Sequence, residues 1–172
     1  EAKTAAGDAL LLFRMGDFFE MFHDDAVRAA PILEIALTQR NKKSEDDSPM
    51  FGVPHHSIAG PIAKLLAAGL KVAICDQVED PKEAKGIVKR AVTRILSPGM
   101  VYDPETLDPH TANYLCSFND SHVAFFDSTT AEAFYYSYSN VSELHHLVTL
   151  LAPTEVVLPT SKEALNLPVS SY

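Results

Sequence analysis

The stretch Gly16-Asp17-Phe18-Phe19-Glu20-Met21-Phe22 decides how this chain is interpreted. It holds three phenylalanines, one methionine and one glutamate in the short run from Phe18 to Phe22. In an extended strand, side chains alternate between the two faces, so Phe18 and Glu20 would project together while Phe19 and Met21 face the other way. One face would then present a flat ring beside a carboxylate, and the other would anchor the strand in a core.

Periodicity alone leaves a second possibility open. Phe18 and Phe22 are four residues apart, so in a helix they would share the core-facing side while Glu20 faced water. In the extended interpretation, an exposed ring beside a hydrogen-bonding group is suited to entering between stacked bases. The run therefore predicts either an ordinary helical core segment or a wedge for nucleic acid.

A family resemblance rests on the longer stretch Leu10-Leu11-Leu12-Phe13-Arg14-Met15-Gly16-Asp17-Phe18-Phe19-Glu20-Met21-Phe22-His23-Asp24-Asp25-Ala26. It is similar to the start of the MutS mismatch-repair proteins, whose N-terminal domain carries a Gly-Asp-Phe-Tyr-Glu motif. Further matching blocks follow in the family's order: Leu37-Thr38-Gln39-Arg40, Gly52-Val53-Pro54-His55-His56, Val72-Ala73-Ile74-Cys75-Asp76-Gln77, Asp80-Pro81, Lys85-Gly86 and Val92-Thr93-Arg94-Ile95-Leu96-Ser97-Pro98-Gly99. Phe19, Met21 and His55 depart from the family's usual residues, but none of them is expected to meet a base.

The resemblance implies an α/β (α+β) fold in two parts. Residues 1–108 would form a mixed-sheet mismatch-recognition domain with flanking helices, and residues 109–172 the incomplete N-terminal part of an RNase H-like connector domain. The printed sequence begins at Glu1 and ends at Tyr172, soon after a strand-like run. We therefore expect it to be a piece of a longer protein.

The apolar pattern of the first part predicts one strand over Leu10–Phe22, in which Gly16 permits a local bend or a close backbone approach. Asp24 and Asp25 are cap-type residues ahead of a helix that reaches about Arg40, and Pro31 should kink or divide that helix. The remaining elements of this part are strands over Met50–Val53, Leu70–Gln77 and Val88–Leu96, and a helix over Ile58–Ala68 capped by Ser57.

The sequence pattern of the second part predicts three strands, one helix and a final strand. The strands are expected over Tyr114–Phe118, His122–Asp127, Glu132–Tyr138 and Glu155–Leu158, with the helix opening at Ser142 before the last of them. This β-β-β-α-β order resembles the first half of the RNase H-like connector fold.

The resemblance also implies which residues meet DNA. Phe18 would enter the minor groove and stack on a mispaired base, and Glu20 would hydrogen-bond to a ring nitrogen of that base. Arg40 is the first choice for a phosphate contact, followed by Lys42 and Lys43. Met15 would line the groove beside Phe18 or serve the core.

Overall charge opposes strong binding of DNA by this chain alone. The chain has 14 Lys and Arg residues against 23 Asp and Glu residues, a net charge of −9, whereas DNA-binding domains usually present a basic face. Residues 1–110 carry 13 basic and 17 acidic residues (net −4), and residues 111–172 carry one basic and six acidic residues (net −5). We therefore expect weak non-specific affinity.

Two other functions remain open from the residues. Asp127 and Glu132 on an RNase H-like strand order could indicate a metal-dependent nuclease, since such folds position carboxylates around Mg²⁺. The acidic second part could instead serve as a protein-interaction scaffold. No metal site is predicted. His55-His56 lacks a third ligand at suitable spacing, and neighbours such as His145 and His146 would point about 100° apart on a helix.

The sequence contains no Gly-x-x-x-x-Gly-Lys-[Ser/Thr] phosphate loop, so we expect this chain neither to bind nor to hydrolyse ATP. In the interpretation by resemblance, the chain lacks the family's ATPase domain and is expected to be neither an enzyme nor a cofactor-binding protein. The resemblance places ATP and Mg²⁺ in later domains and implies a homodimer that works with mismatched double-stranded DNA and a MutL-type partner. Cys75 and Cys116 lie in apolar runs and are expected to be buried thiols of a cytosolic protein rather than a disulfide. The resemblance implies a cytoplasmic, nucleoid-associated protein. No apolar run approaches the ~20 residues of a membrane span.

Overall fold

A computed structural model describes residues 2–39, 48–79, 88–100 and 111–158. The chain divides into two compact units, Glu1–Leu96 and Ser97–Tyr172. The predicted domain boundary at residues 108 and 109 falls in the segment 101–110, outside the described residues, and stays a prediction.

The first unit is a six-stranded mixed sheet with helices, as the sequence predicts. Its helices are α1 (Ala2–Ala6), α2 (His23–Leu33) and α3 (Ala59–Ala67), with a 3₁₀ turn at His55–Ser57. Its strands are β1 (Leu10–Met15), β2 (Phe18–Phe22), β3 (Thr38–Gln39), β4 (Pro49–Pro54), β5 (Val72–Gln77) and β6 (Arg90–Leu96). The strand order is β3-β4-β2-β1-β5-β6, and only the β1–β5 pair is parallel.

The prediction of a single strand over Leu10–Phe22 is wrong, because the chain reverses at Gly16 and Asp17. Met15 pairs with Phe18, which leaves a hairpin loop of two residues. Gly16 has φ +62°, a positive value that the favoured two-residue hairpin loops require at their first position and that glycine adopts without strain. The segment is therefore a β1–β2 hairpin rather than a bent strand.

Helices cover the two faces of this sheet to different extents. On one face, α1 packs over a small cluster that includes Leu11, Ala73 and Cys75. The residues of opposite parity face the other way, where α2 and α3 contact the sheet. The large side chains buried on that second face include Phe51, Leu10, Leu12, Met21, Val72 and Ile74.

The predicted end of α2 and the caps predicted for α2 and α3 are wrong. Helix α2 ends at Leu33 rather than near Arg40, because Glu34 adopts φ +58° and its N–H bonds back to the Ala30 carbonyl. Pro31 lies inside the last turn without dividing the helix. The hydroxyl of Ser57 donates to the Pro54 carbonyl (3.1 Å) instead of capping α3.

Asp25 connects α1, α2 and β1 through hydrogen bonds instead of capping α2. Its carboxylate accepts from the Lys3 ammonium at 2.9 Å and from the Leu11 backbone N–H at 3.0 Å. The Lys3 ammonium also donates to the Ala9 carbonyl at 2.7 Å. Because the bond from Leu11 is buried, the carboxylate satisfies a donor that would otherwise be left without a partner.

The described residues of the second unit form a four-stranded sheet with one helix, and the predicted β-β-β-α-β order is confirmed. The elements are β7 (Tyr114–Phe118), β8 (His122–Asp127), β9 (Glu132–Ser137), α4 (Val141–Leu151) and β10 (Glu155–Val157). The strand order is β10-β7-β8-β9, with β10 parallel to β7. Helix α4 begins after Asn140, whose side chain accepts from the Glu143 N–H at 3.0 Å, so the helix opens one residue before the predicted Ser142.

Both cysteines are free and buried, as predicted. Cys116 packs with Val123, Phe125 and Leu144 in the core of the second unit. Burial raises the pKa of the Cys116 thiol to about 12, so this thiol stays protonated at neutral pH. Among the described helices, none has the length and apolarity needed to cross a membrane.

The Asp25 network predicts a large stability difference between two neighbouring carboxylates. Asp25→Ala should lower the free energy of unfolding by about 2–3 kcal/mol, because the buried Leu11 N–H loses its acceptor. Asp24→Ala removes an exposed carboxylate from the same helical turn and should cost less than about 1 kcal/mol. Urea denaturation of both variants measures the difference, and equal losses would contradict the role assigned to Asp25.

Candidate nucleic-acid interface

Phe18 and Glu20 project from the same face of β2. The Phe18 side chain is 46% exposed and Glu20 is partly exposed, whereas Phe19 and Met21 between and after them are 3% and 0% exposed. The alternation predicted for an extended strand is thus present, and the helical alternative is excluded. The buried pair anchors the strand, so the ring and the carboxylate are presented side by side.

Gly52 on β4 is the position that both exposed side chains approach. It pairs with Glu20 across the strands. A Cβ atom placed on Gly52 would lie 3.7 Å from the Glu20 Cγ atom and 3.7 Å from the Phe18 Cδ1 atom. The neighbouring strand therefore contributes no side chain between them, and an incoming ligand can approach both.

The Glu20 carboxylate is available for a ligand. Within the described ranges, it makes no hydrogen bond and no ion pair with another residue. Phe13 pairs with Glu20 from β1, so an aromatic ring rather than a cation flanks it on that side. Such a carboxylate can accept a hydrogen bond from a ligand when ionised and donate one when protonated.

Of the other predicted site residues, the structure brings Met15 to the same place. Met15 is the direct pairing partner of Phe18 and is partly exposed, and paired residues of an antiparallel ladder lie on the same face. Arg40, Lys42 and Lys43 lie outside the described residues, so their contact with phosphate stays a prediction.

A cavity of about 480 Å³ continues this face beyond Met15. Its lining includes the apolar side chains of Leu11, Phe13 and Phe22 and the charged side chains of Lys3, Asp24, Asp25 and Arg90. The Phe13 and Phe22 rings meet edge to face with centroids 5.8 Å apart. The face that carries Phe18 thus extends into a depression lined by apolar side chains and by charged side chains of both signs.

Sequence reasoning missed the groups that hold the hairpin loop. The Arg14 guanidinium carbon lies 5.3 Å from the centre of the Phe19 ring, and its Nε–H donates to the Gly16 carbonyl at 2.6 Å. The His55 backbone N–H donates to the Asp17 carbonyl at 2.8 Å. A hairpin assignment would have placed Arg14 opposite Phe19, so the missing signal was the Gly16 turn.

Asp127, the nuclease candidate, has a structural role in the second unit. Its buried carboxylate accepts from the Asn113 N–H (3.0 Å), the Thr129 N–H (2.8 Å) and the Thr129 hydroxyl (2.6 Å). Glu132 accepts from the Tyr114 hydroxyl at 2.9 Å. Throughout the part of the chain that the structure describes, no three or more His, Cys, Asp or Glu side chains are grouped to hold a metal ion.

Hydrogen bonding outweighs burial in the pKa of Asp127. Burial acts to raise the pKa, but the hydrogen bonds from Thr129, Asn113 and Thr130 favour the ionised form, and the net pKa lies below its ordinary value of 3.8. These bonds close the turn between β8 and β9 and fix the segment before β7.

Comparisons with known proteins identify the first unit. The model of the family "MutS domain I" matches residues 1–105. The "DNA mismatch repair protein MutS" of Syntrophobacter fumaroxidans is 47% identical over 95% of this chain and 19% of its own length. The protein of the same name from Myxococcus xanthus is 44% identical over 94% of this chain and 18% of its own length.

These similarities are sufficient to assign the chain to a protein family. The chain belongs to the MutS family, and its first 105 residues are a MutS domain I. It spans about a fifth of the length of the relatives that it matches.

The exposure difference between Phe18 and Phe19 predicts unequal effects of truncation. Phe19→Ala should lower the free energy of unfolding by about 3–5 kcal/mol, because it opens a cavity under the sheet. Phe18→Ala should cost less than about 1 kcal/mol, because the ring is half in water already. Chemical denaturation measures both, and a large loss from Phe18→Ala would mean that the ring serves the core.

The lowered pKa of Asp127 predicts a pH-dependent stability contribution. A carboxyl group with a lower pKa in the folded state stabilises above its unfolded pKa, and this contribution is lost as the pH falls through the folded value. Asp127→Asn should therefore lower the urea midpoint at pH 7, and the difference from the wild type should shrink below pH 3.8. A difference that does not vary between pH 7 and pH 2.5 would refute the assignment.

Proposed function

We propose that the first unit recognises mismatched double-stranded DNA from the minor groove. Phe18 stacks on a mispaired base, and Glu20 hydrogen-bonds to the same base. The observation that carries this proposal is the half-exposed Phe18 ring beside Glu20 over the bare Gly52, with Phe19 buried beneath. Membership of the MutS family and the names of the relatives support it.

Insertion of a ring discriminates through the cost of opening the stack. Unstacking a base step costs a few kcal/mol and costs least where pairing is already defective. Stacking on an aromatic ring returns about 1–3 kcal/mol and tolerates any base. A single Phe18 ring can therefore recognise many mispairs, because its insertion depends on how easily a base step unstacks and not on which bases form the step.

Glu20 adds discrimination in two ways. Its charge is repelled by the phosphates of any duplex, which weakens attachment to paired DNA. A base that has been pushed out of its pair offers a ring nitrogen, and a protonated carboxyl can donate to it. This hydrogen bond can form at a mispair but not at a fully paired base step.

Backbone contacts would position this pair without reading sequence. Met15 lines the groove beside Phe18, and Arg40, Lys42 and Lys43 hold phosphates. Because residues 1–110 carry a net charge of −4, these contacts supply little non-specific affinity. Most of the affinity for DNA would come from other parts of a longer protein.

The remaining expectations concern that longer protein. We propose that it is a homodimeric, DNA-dependent ATPase, with ATP and Mg²⁺ bound in domains beyond this chain. It would work with a MutL-type partner in the cytoplasm, associated with the nucleoid. The chain itself would contribute binding rather than catalysis, with residues 109–172 as part of the connector.

Phe18→Ala in the full-length protein should remove most discrimination between a G·T duplex and a fully paired duplex. The ratio of the two dissociation constants should fall about 10- to 100-fold, the equivalent of one lost stacking contact. Fluorescence anisotropy of labelled duplexes at fixed salt measures both constants. A variant that folds normally and keeps the wild-type ratio would show that the wedge assignment is wrong.

Glu20→Ala should reduce the same ratio while tightening attachment to paired DNA, because a repulsive charge is lost. Asp8→Ala is the matched control, since it removes an exposed carboxylate at the other end of β1. The control should leave the ratio unchanged. Identical behaviour of the two variants would show that the position of the Glu20 carboxylate is irrelevant.

A further inference from the structure

We infer that Arg14 is a positioning residue for Phe18, and that together with His55 it forms a clamp on the hairpin loop. The clamp is defined by Arg14, Phe19 and His55 with the loop residues Gly16 and Asp17. Its role in DNA recognition rests on the function proposed above for Phe18. Its mechanical role, to hold the loop still, does not depend on that function.

Arg14 approaches Phe19 from β1 and holds the first loop residue. The two are direct pairing partners in the hairpin. The guanidinium carbon lies 5.3 Å from the centre of the Phe19 ring, within the range of a cation–π contact. The Nε–H of the same group donates to the Gly16 carbonyl at 2.6 Å, a short charge-assisted bond.

His55 approaches the same ring from the end of β4 and holds the second loop residue. Its imidazole stacks on Phe19 with centroids 6.1 Å apart and planes 29° apart. Its backbone N–H donates to the Asp17 carbonyl at 2.8 Å. The bond from the Ser57 hydroxyl to the Pro54 carbonyl closes the 3₁₀ turn that presents this N–H.

The carbonyls of both loop residues are thus held by residues that also touch the buried Phe19 ring. The loop leads directly into Phe18, so the clamp limits how far the backbone before the wedge can move. Insertion into a stack requires an ordered ring, and order established beforehand reduces the entropy lost on binding. Arg14 lies on the face opposite Phe18, so it acts on DNA through the loop and not by contact.

A guanidinium is suited to this task in a way that an ammonium is not. It is flat enough to lie over a ring while its Nε–H points along the chain toward a carbonyl. Arg14→Lys keeps the charge but lacks the Nε donor, and Arg14→Met keeps an unbranched apolar stem but loses both contacts. Arg28→Met removes an exposed arginine from α2 and is the matched control for charge.

The first test needs no DNA. The chain contains no tryptophan, so Phe18→Trp introduces a single fluorescent reporter at the wedge. Time-resolved anisotropy of this indole should show more fast motion in the Arg14→Met background, with Arg14→Lys intermediate and Arg28→Met unchanged. Equal motion in all backgrounds would overturn the clamp.

The second test measures discrimination in the full-length protein with Phe18 restored. Arg14→Met should lower the ratio of dissociation constants for paired and G·T duplexes about tenfold, and Arg14→Lys about threefold, in line with one lost cation–π contact and one charge-assisted bond. Arg28→Met should match the wild type. A ratio at the wild-type value in both Arg14 variants would overturn the positioning role.

The two tests distinguish a failure of the function proposed for Phe18 from a failure of the clamp. If Phe18→Ala keeps wild-type discrimination, the function proposed for the wedge fails, and the indole motion still decides the clamp. If Arg14→Met does not fold at the assay temperature, Arg14→Lys decides alone, since wild-type values for it in both tests would show that the Nε bond to Gly16 is dispensable.

Discussion

The burial of alternate residues of β2 is the constraint on which the site depends. This strand pairs with β1 on one side and β4 on the other, so its register is fixed from both edges. Phe19 and Met21 fill the core beneath the sheet. A shift by one residue would bury the Glu20 carboxylate and expose the Met21 side chain. Both changes would destabilise the folded state, because burial of an unpaired charge costs free energy and the core would lose an apolar side chain. Phe18 and Glu20 are outward as a consequence.

The same burial explains how a small hairpin can carry a rigid ring. A two-residue loop has little freedom of its own, because Gly16 must take a left-handed conformation to close it. The buried Phe19 ring adds a fixed platform on which Arg14 and His55 rest while they bind the loop carbonyls. The core residue thus supports the exposed residue before it in the chain.

Sequence patterns predicted this architecture unevenly. The strands of the second unit were predicted almost to the residue, because alternation and hairpin-loop residues are local signals. The hairpin at Gly16 was missed, since a glycine between two apolar runs is compatible with a bend as well as a turn. The end of α2 was placed too late for a similar reason: apolar residues continue past Leu33, and only the left-handed Glu34 shows where the helix stops.

The sequence by itself determined the family blocks, the mixed α/β class and the alternation that puts Phe18 and Glu20 on one side, because each follows from neighbours along the chain. Tertiary structure alone decided which strand lies beside them, that Gly52 leaves the approach open, and that Asp25 and Asp127 serve the fold. These facts depend on residues that are far apart in sequence. No local sequence pattern encodes which of these distant residues come into contact, because the order of the strands in the sheet determines those contacts.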